Sequence, residues 1–169
     1  AAEYAAMTLH RPSNVDDPQT LAGILDALKV VQDKLPIIFP VHPRTRKQIE
    51  AFGFGARLKE MPALRLIEPL GYLDFLALVS SARIVLTDSG GLQEETTVLG
   101  VPCLTLRPNT ERPITITEGT NILVGTDAQR IVDEAMAIIE NRGKRGGIPE
   151  YWDGQAAARI VDVLVEKLG

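Results

Sequence analysis

Six short apolar runs rich in β-branched residues alternate with longer segments of helical period, and several of the runs are apolar on both faces. Strands are buried on both faces when helices cover both sides of a parallel sheet. Single helices between such strands force right-handed parallel crossovers. These observations predict the α/β class, with a doubly wound, Rossmann-like parallel sheet of about six strands. The strands are expected at YAAMTL (4–9), IIFPV (37–41), LRLIE (64–68), RIVLT (83–87), PCLTL (102–106) and NILVG (121–125).

Helices fill the intervals. In the first, Leu21, Ile24, Leu25, Leu28 and Val31 fall on one stripe, with Asp17 placed to cap it and Pro18 at its first position. Further helices are expected at about 44–52, 72–81, 91–99 and 127–141. The last of these turns Ile131, Ala135, Ile138 and Ile139 inward and takes Asp127 as its cap. A final helix runs from about Asp153 to Leu168. The glycine-rich piece NRGKRGGIPEYWDG (141–154) reads as an exposed loop whose basic residues are solvated.

At 169 residues the chain is sized for one α/β domain. Its 45% hydrophobic and 24% charged residues are ordinary for a globular protein. No run approaches the ~20 apolar residues of a spanning helix. A net charge of −4 with scattered Lys and Arg leaves no basic stripe, which argues against nucleic acid and membrane surfaces as partners. Any anionic ligand must then be held by a local site. The single Cys103, in VPCLTL, forms no internal disulfide and reads as a small buried core residue. Together with a start, AAEYAAMTL, that lacks the pattern of a secretory signal, it places the expected compartment in the cytoplasm.

In such a sheet ligands bind beyond the carboxyl ends of the strands. The unusual residues collect there: HRPSN (10–14), HPRTR (42–46), EPLGY (68–72), DSGG (88–91) and RPNTERP (107–113). Ser89, Gly90 and Gly91 open a helix, where free N–H groups and the positive dipole end favour a phosphate. A glycine pair also serves a plain turn. Glu94 and Glu95 lie a turn further on, where a carboxylate can accept from vicinal hydroxyls; two solvated acids in a first turn are the plainer alternative. His10, Arg11 and Arg112 can each bring a donor or positive charge toward a diphosphate. Phosphate plus diol suggests a nucleotide. Neither GxGxxG nor GxxxxGK[ST] is present, no metal-ligand spacing exists, and no catalytic triad can be assembled.

Taken in order, TLHRPSN, FPVHPRTR, LIEPLGYLDFL, LTDSGGLQEETTVLGVPCLTLRPNTERP, GTNILVGTD and WDGQAAARI resemble the carboxy-terminal domain of the non-hydrolysing UDP-N-acetylglucosamine 2-epimerases. The resemblance spans nearly the whole chain. It implies the second domain of a GT-B architecture, with the first domain absent from residues 1–169. It also implies that Ser89, Gly90 and Gly91 bind the diphosphate of UDP and that Glu95 holds the ribose hydroxyls. Arg112 would contact the nucleotide or phosphate, and Leu70, largely through its backbone, would form the uracil pocket with Phe75. Phe75 also shares a stripe with Tyr72, Leu76 and Val79, which is the pattern of ordinary core packing. His10 matches the family's catalytic histidine, and Arg11 and His42 are candidates for phosphate or second-site contacts.

The family's reaction inverts C2 of the sugar by eliminating UDP to a 2-acetamidoglucal and adding it back. It needs no cofactor, and the acid/base carboxylates belong to the absent domain. The resemblance thus implies a UDP-sugar ligand, the amino-terminal domain of the same enzyme as partner, a homodimer at full length, and a chain that is inactive alone. One departure stands out: where the family often reads HRREN, Pro12 and Ser13 replace an Arg and a Glu, which touches the region used in some members for a second, activating UDP-GlcNAc. The competing expectations are a GT-B glycosyltransferase, a hydrolysing epimerase, or a stand-alone nucleotide-sugar binding module.

Overall fold

The computed structural model describes residues 3–168. Strands β1 (Ala5–Thr8), β2 (Ile37–Pro40), β3 (Leu64–Ile67), β4 (Ile84–Thr87), β5 (Cys103–Thr105) and β6 (Asn121–Leu123) form one sheet. All neighbouring pairs are parallel and the order is β3-β2-β1-β4-β5-β6. That order is the doubly wound Rossmann arrangement expected from the sequence. The six predicted strands are all present, each shorter than its apolar run by one or two residues.

The predicted helices appear as α2 (Pro18–Gln32), α3 (Pro43–Ala51), α5 (Tyr72–Ser80), α6 (Gly90–Leu99), α8 (Ala128–Ile139) and α9 (Ala156–Leu168). Asp17 caps α2 by accepting from Thr20 N at 2.7 Å, and Asp127 caps α8 by accepting from Arg130 N at 2.7 Å. Three short helices were not anticipated: α1 (Pro12–Val15), α4 (Gly55–Lys59) and α7 (Pro113–Thr117). Each is five residues or fewer, too short to display a 3.6-residue hydrophobic period.

Successive strand residues sort to opposite faces, as the pleat requires. Met7, Ile37, Phe39, Ile84, Leu86 and Leu104 join Leu21, Ile24 and Leu28 of α2 and Ile131 and Ala135 of α8 in the larger core. Ala6, Val85 and Cys103 point the other way, against Val79 of α5 and Leu92 of α6. A sheet buried on both faces leaves its strand ends as the place for polar chemistry.

The loop at 141–154 needs a correction. Its basic residues are not all solvated: Lys144 donates to the carbonyls of Ile116 and Asn121, and burial lowers its pKa. Gly146 packs on the Gly119 backbone so closely that a Cβ would lie 2.2 Å from the Gly119 carbonyl oxygen. The loop is therefore seated against the start of β6.

Candidate functional site

The strand order reverses between β1 and β4, where Thr8 stands in register with Thr87. The chains leaving these two strands diverge, opening the crevice in which doubly wound sheets bind ligands. His10 and Arg11 leave β1 on one side; Asp88, Ser89 and α6 leave β4 on the other.

Ser89 occupies the N-cap position of α6 in an extended conformation but makes no side-chain capping bond. Its own N–H donates to Thr87 Oγ1 at 2.9 Å. The first-turn N–H groups of this ten-residue helix thus lack the usual side-chain acceptor. Neither Gly90 nor Gly91 has a left-handed φ, and a Cβ on Gly91 would meet nothing within 4 Å. The fold itself does not demand glycine at these positions. The bare backbone there leaves room for a group to approach it.

Positive charge flanks the same turn. A Cβ on Gly90 would lie 3.8 Å from an Arg11 guanidinium nitrogen and 3.9 Å from one of Arg107. Arg107 is buried and grips Glu111 through two bonds of 2.8 and 2.7 Å. The Arg107 guanidinium holds the Glu111 carboxyl down at about 2. Arg107 was not singled out from the sequence, although RPNTERP was; what distinguishes it from Arg112 is burial, which the segment's polarity conceals.

The acid pair is resolved by geometry. Glu94 forms an ion pair with Arg112 Nε at 2.9 Å, both half exposed. Glu95 is half buried, and among the described residues its side chain makes no hydrogen bond or ion pair. Gln93 between helix and loop is buried: it donates to Ser89 O at 3.2 Å and accepts from Thr110 Oγ1 at 2.6 Å. Thr110 in turn accepts from Arg112 N at 2.9 Å. This chain of bonds ties the RPNTERP loop to the mouth of α6.

On the other side of the crevice, His42 caps α3 by accepting from Arg44 N at Nδ1, 3.2 Å away. Its ring centroid lies 5.6 Å from that of His10. Asp16, after α1, accepts from Arg44 Nε at 2.9 Å and Gln48 at 2.8 Å, pinning α1 to α3 and so keeping the two rings together. Those bonds lower the Asp16 carboxyl to about 2. Thr8, Pro40, His42, Pro69, Leu70 and Phe75 line a shallow pocket of about 170 Å³ beside this pair. Phe75 does both things its position allows: it packs partly on the core under α5 and lines the pocket.

Asp88 is the residue that the sequence reading passed over. It is fully buried, and its carboxylate accepts from His10 N (3.1 and 3.0 Å), Arg11 N (2.7 Å) and Asn14 Nδ2 (3.2 Å), with His10 Nδ1 at 2.9 Å. Asn14, also buried, donates as well to Leu106 O at 2.8 Å. One carboxylate and one amide thereby join the ends of β1, β4 and β5. At the HRPSN departure Pro12 and Ser13 are exposed, while His10, Arg11 and Asn14 bond to Asp88.

Among the described residues no three His, Cys, Asp or Glu side chains gather as a metal site, and no helix is long and apolar enough to cross a membrane.

A model of the family described as UDP-N-acetylglucosamine 2-epimerase matches residues 1–165. The UDP-N-acetylglucosamine 2-epimerase of Methanocaldococcus jannaschii is 43% identical over 165 residues, which are 96% of this chain and 44% of that protein. A crystal structure of the Methanocaldococcus jannaschii UDP-GlcNAc 2-epimerase in complex with UDP-GlcNAc and UDP matches with a TM-score of 0.82 at 40% identity. That match covers 98% of this chain and 46% of the other. The UDP-2,3-diacetamido-2,3-dideoxy-D-glucuronate 2-epimerase of Pseudomonas aeruginosa is 39% identical over 164 residues, 96% of this chain and 44% of the relative. The chain spans a little under half the length of these relatives, and its sheet is one Rossmann-like domain of their GT-B architecture. With the matched segment running through every element of the crevice, the chain belongs to the UDP-N-acetylglucosamine 2-epimerase family.

Proposed function

We propose that this chain is the UDP-binding, carboxy-terminal half of a non-hydrolysing UDP-GlcNAc 2-epimerase. The full-length protein interconverts UDP-GlcNAc and UDP-ManNAc. The C2 proton is removed, the C1–O bond breaks with its electron pair leaving on UDP, and the 2-acetamidoglucal so formed is re-protonated on the opposite face as UDP returns. The chemistry moves a proton and one C–O bond, so it calls on no redox cofactor.

One observation carries this reading: the uncapped, glycine-opened start of α6 lies at the switch point beside Arg11 and His10. Oriented amides at a helix start stabilise a diphosphate both when bound and when it departs with the bond pair. Ser89, Gly90 and Gly91 take the diphosphate, and Glu95, free of partners among the described residues, takes the ribose hydroxyls. Arg112 contacts the nucleotide with Glu94 beside it, while Leu70 and Phe75 hold the uracil in the pocket they line. His10 faces the leaving UDP; Arg11 and His42 serve phosphate or second-site contacts.

The carboxylates that move the C2 proton belong to the other half of the polypeptide. The relatives' greater length supports this, as does α9, whose Ile160, Val161, Leu164, Val165 and Leu168 are 49% to 81% exposed. We assign that apolar face to the amino-terminal domain. The same reading makes the enzyme a cytoplasmic homodimer supplying precursors of cell-envelope polysaccharide.

The full-length protein incubated with UDP-GlcNAc in D2O tests it. The expected result is UDP-ManNAc with deuterium at C2, and no turnover by residues 1–169 alone. Free N-acetylmannosamine with released UDP would indicate a hydrolysing enzyme, and sugar transfer to an acceptor a glycosyltransferase. The Pseudomonas relative supports a second reading, in which the sugar is a 2,3-diacetamido uronate. Preferred turnover of that substrate would establish it.

A further inference from the structure

We propose that Arg107 is a further diphosphate-binding residue of the crevice and that Glu111 holds its place in the free chain: the carboxylate grips the guanidinium until the diphosphate arrives, then swings into solvent. This rests on the reading of Ser89 to Gly91 given above. In a helix the Cα–Cβ direction tilts toward the N-terminus, so the space beside the bare Gly90 Cα lies at the mouth of α6. A Cβ there would lie 3.8 Å from Arg11 Nη2, 3.9 Å from Arg107 Nη1 and 3.9 Å from Glu111 Oε2. Two cations and one carboxylate thus converge where the oriented amides of the helix favour an anion. Glu111 is the negative group of the three.

Its carboxylate does what a phosphate would do there. It takes one bond from each terminal nitrogen of Arg107, at 2.8 and 2.7 Å, and the same planar fork fits two oxygens of a phosphate. The partners are unequal. The Arg107 side chain is 9% exposed and that of Glu111 56%, so the guanidinium is held in place while the carboxylate can return to water at small cost. A buried guanidinium stripped of its partner would be costly, and an incoming phosphate supplies the replacement charge. Asp88, the other carboxylate acting on Arg107, is wholly buried and bonded to His10 N and Arg11 N, so it is not the one to leave.

The RPNTERP loop is tied to α6 without this pair, since Gln93 accepts from Thr110 and Thr110 accepts from Arg112 N. Arg107 holds the Glu111 carboxyl down at about 2, so the grip is intact at every pH near neutrality and substitution is what releases it. Calorimetric titration of the chain with UDP at fixed ionic strength tests the exchange by its sign. Glu111→Gln should bind UDP about threefold tighter or more, the scale of an ion pair with one exposed partner. Arg107→Gln should bind it about tenfold more weakly or worse, the scale of lost hydrogen bonds to a charged group. In the Arg107→Gln background Glu111→Gln should add nothing, because without the guanidinium the carboxylate has no hold at the helix mouth.

Unchanged or weaker binding by Glu111→Gln overturns the proposal, and it does so at an exposed side chain, whether or not Arg107→Gln folds. An equal gain from Glu111→Gln in the Arg107→Gln background also overturns it, since plain repulsion between Glu111 and the ligand would then suffice. No binding by the parent chain fails the reading of the α6 mouth itself, and this proposal with it, which distinguishes the two failures.

Discussion

Glu94 and Glu95 are equivalent on paper and unequal in space. Arg112, far along the chain, engages Glu94 and leaves Glu95 unpaired among the described residues. A contact between a helix and a distant loop is not written in local spacing, so the sequence pattern alone left both acids open. Asp88 and Asn14 were hidden for a related reason: each looks like an ordinary turn residue until β1 and β4 are placed side by side. Cys103 shows the opposite, a residue whose setting in VPCLTL already announced burial. It is fully buried, and burial pushes its thiol up to about 12. The native chain should therefore resist a thiol-specific disulfide reagent at pH 8 and react once unfolded. The thiol's contribution to stability is intact below the ordinary value of 9.0 and is lost as pH rises from there toward about 12, because only the unfolded chain ionises. Rapid labelling of the native chain at pH 8 would contradict this.

The strands were legible as β-branched runs and the long helices by their stripes and caps, because each has a period and a terminator of its own. The short α1, α4 and α7 have neither, and they form where loops are pressed against longer elements. Gly119 marks such a place, between α7 and β6. A Cβ there would sit 2.5 Å from Thr97 Oγ1 on α6 and 2.7 Å from the Thr115 carbonyl oxygen of α7. Gly119→Ala should therefore push α7 off α6 and cost about 1–3 kcal/mol, read as a lowered denaturant midpoint at unchanged slope. Since α7 begins directly after Arg112, the same change should weaken nucleotide binding. A midpoint equal to the parent's would show that the α6–α7 contact is looser than drawn.

For the molecule as a whole, the doubly wound class followed from alternation and handedness, while the strand order, and with it the position of the crevice, is set by the structure. What alternation cannot give is the setting of α9, whose stripe of Ile160, Leu164 and Leu168 has the period of a packed helix yet is exposed. Such a pattern suits a covering partner, and on the proposed reading that partner is the amino-terminal domain. On the proposed reading the crevice is half of a site, with helix dipole, arginines and histidine on this side and the proton-moving groups on the other domain. Binding of UDP is the part this chain should perform unaided. Calorimetric titration of the chain with UDP, repeated for Ser89→Ala and Glu95→Ala, tests that most directly. The account predicts saturable one-to-one binding weakened about tenfold or more by either change, the scale of a lost hydrogen bond to a charged group; no heat of binding from the parent chain, or equal affinities for all three, would contradict it.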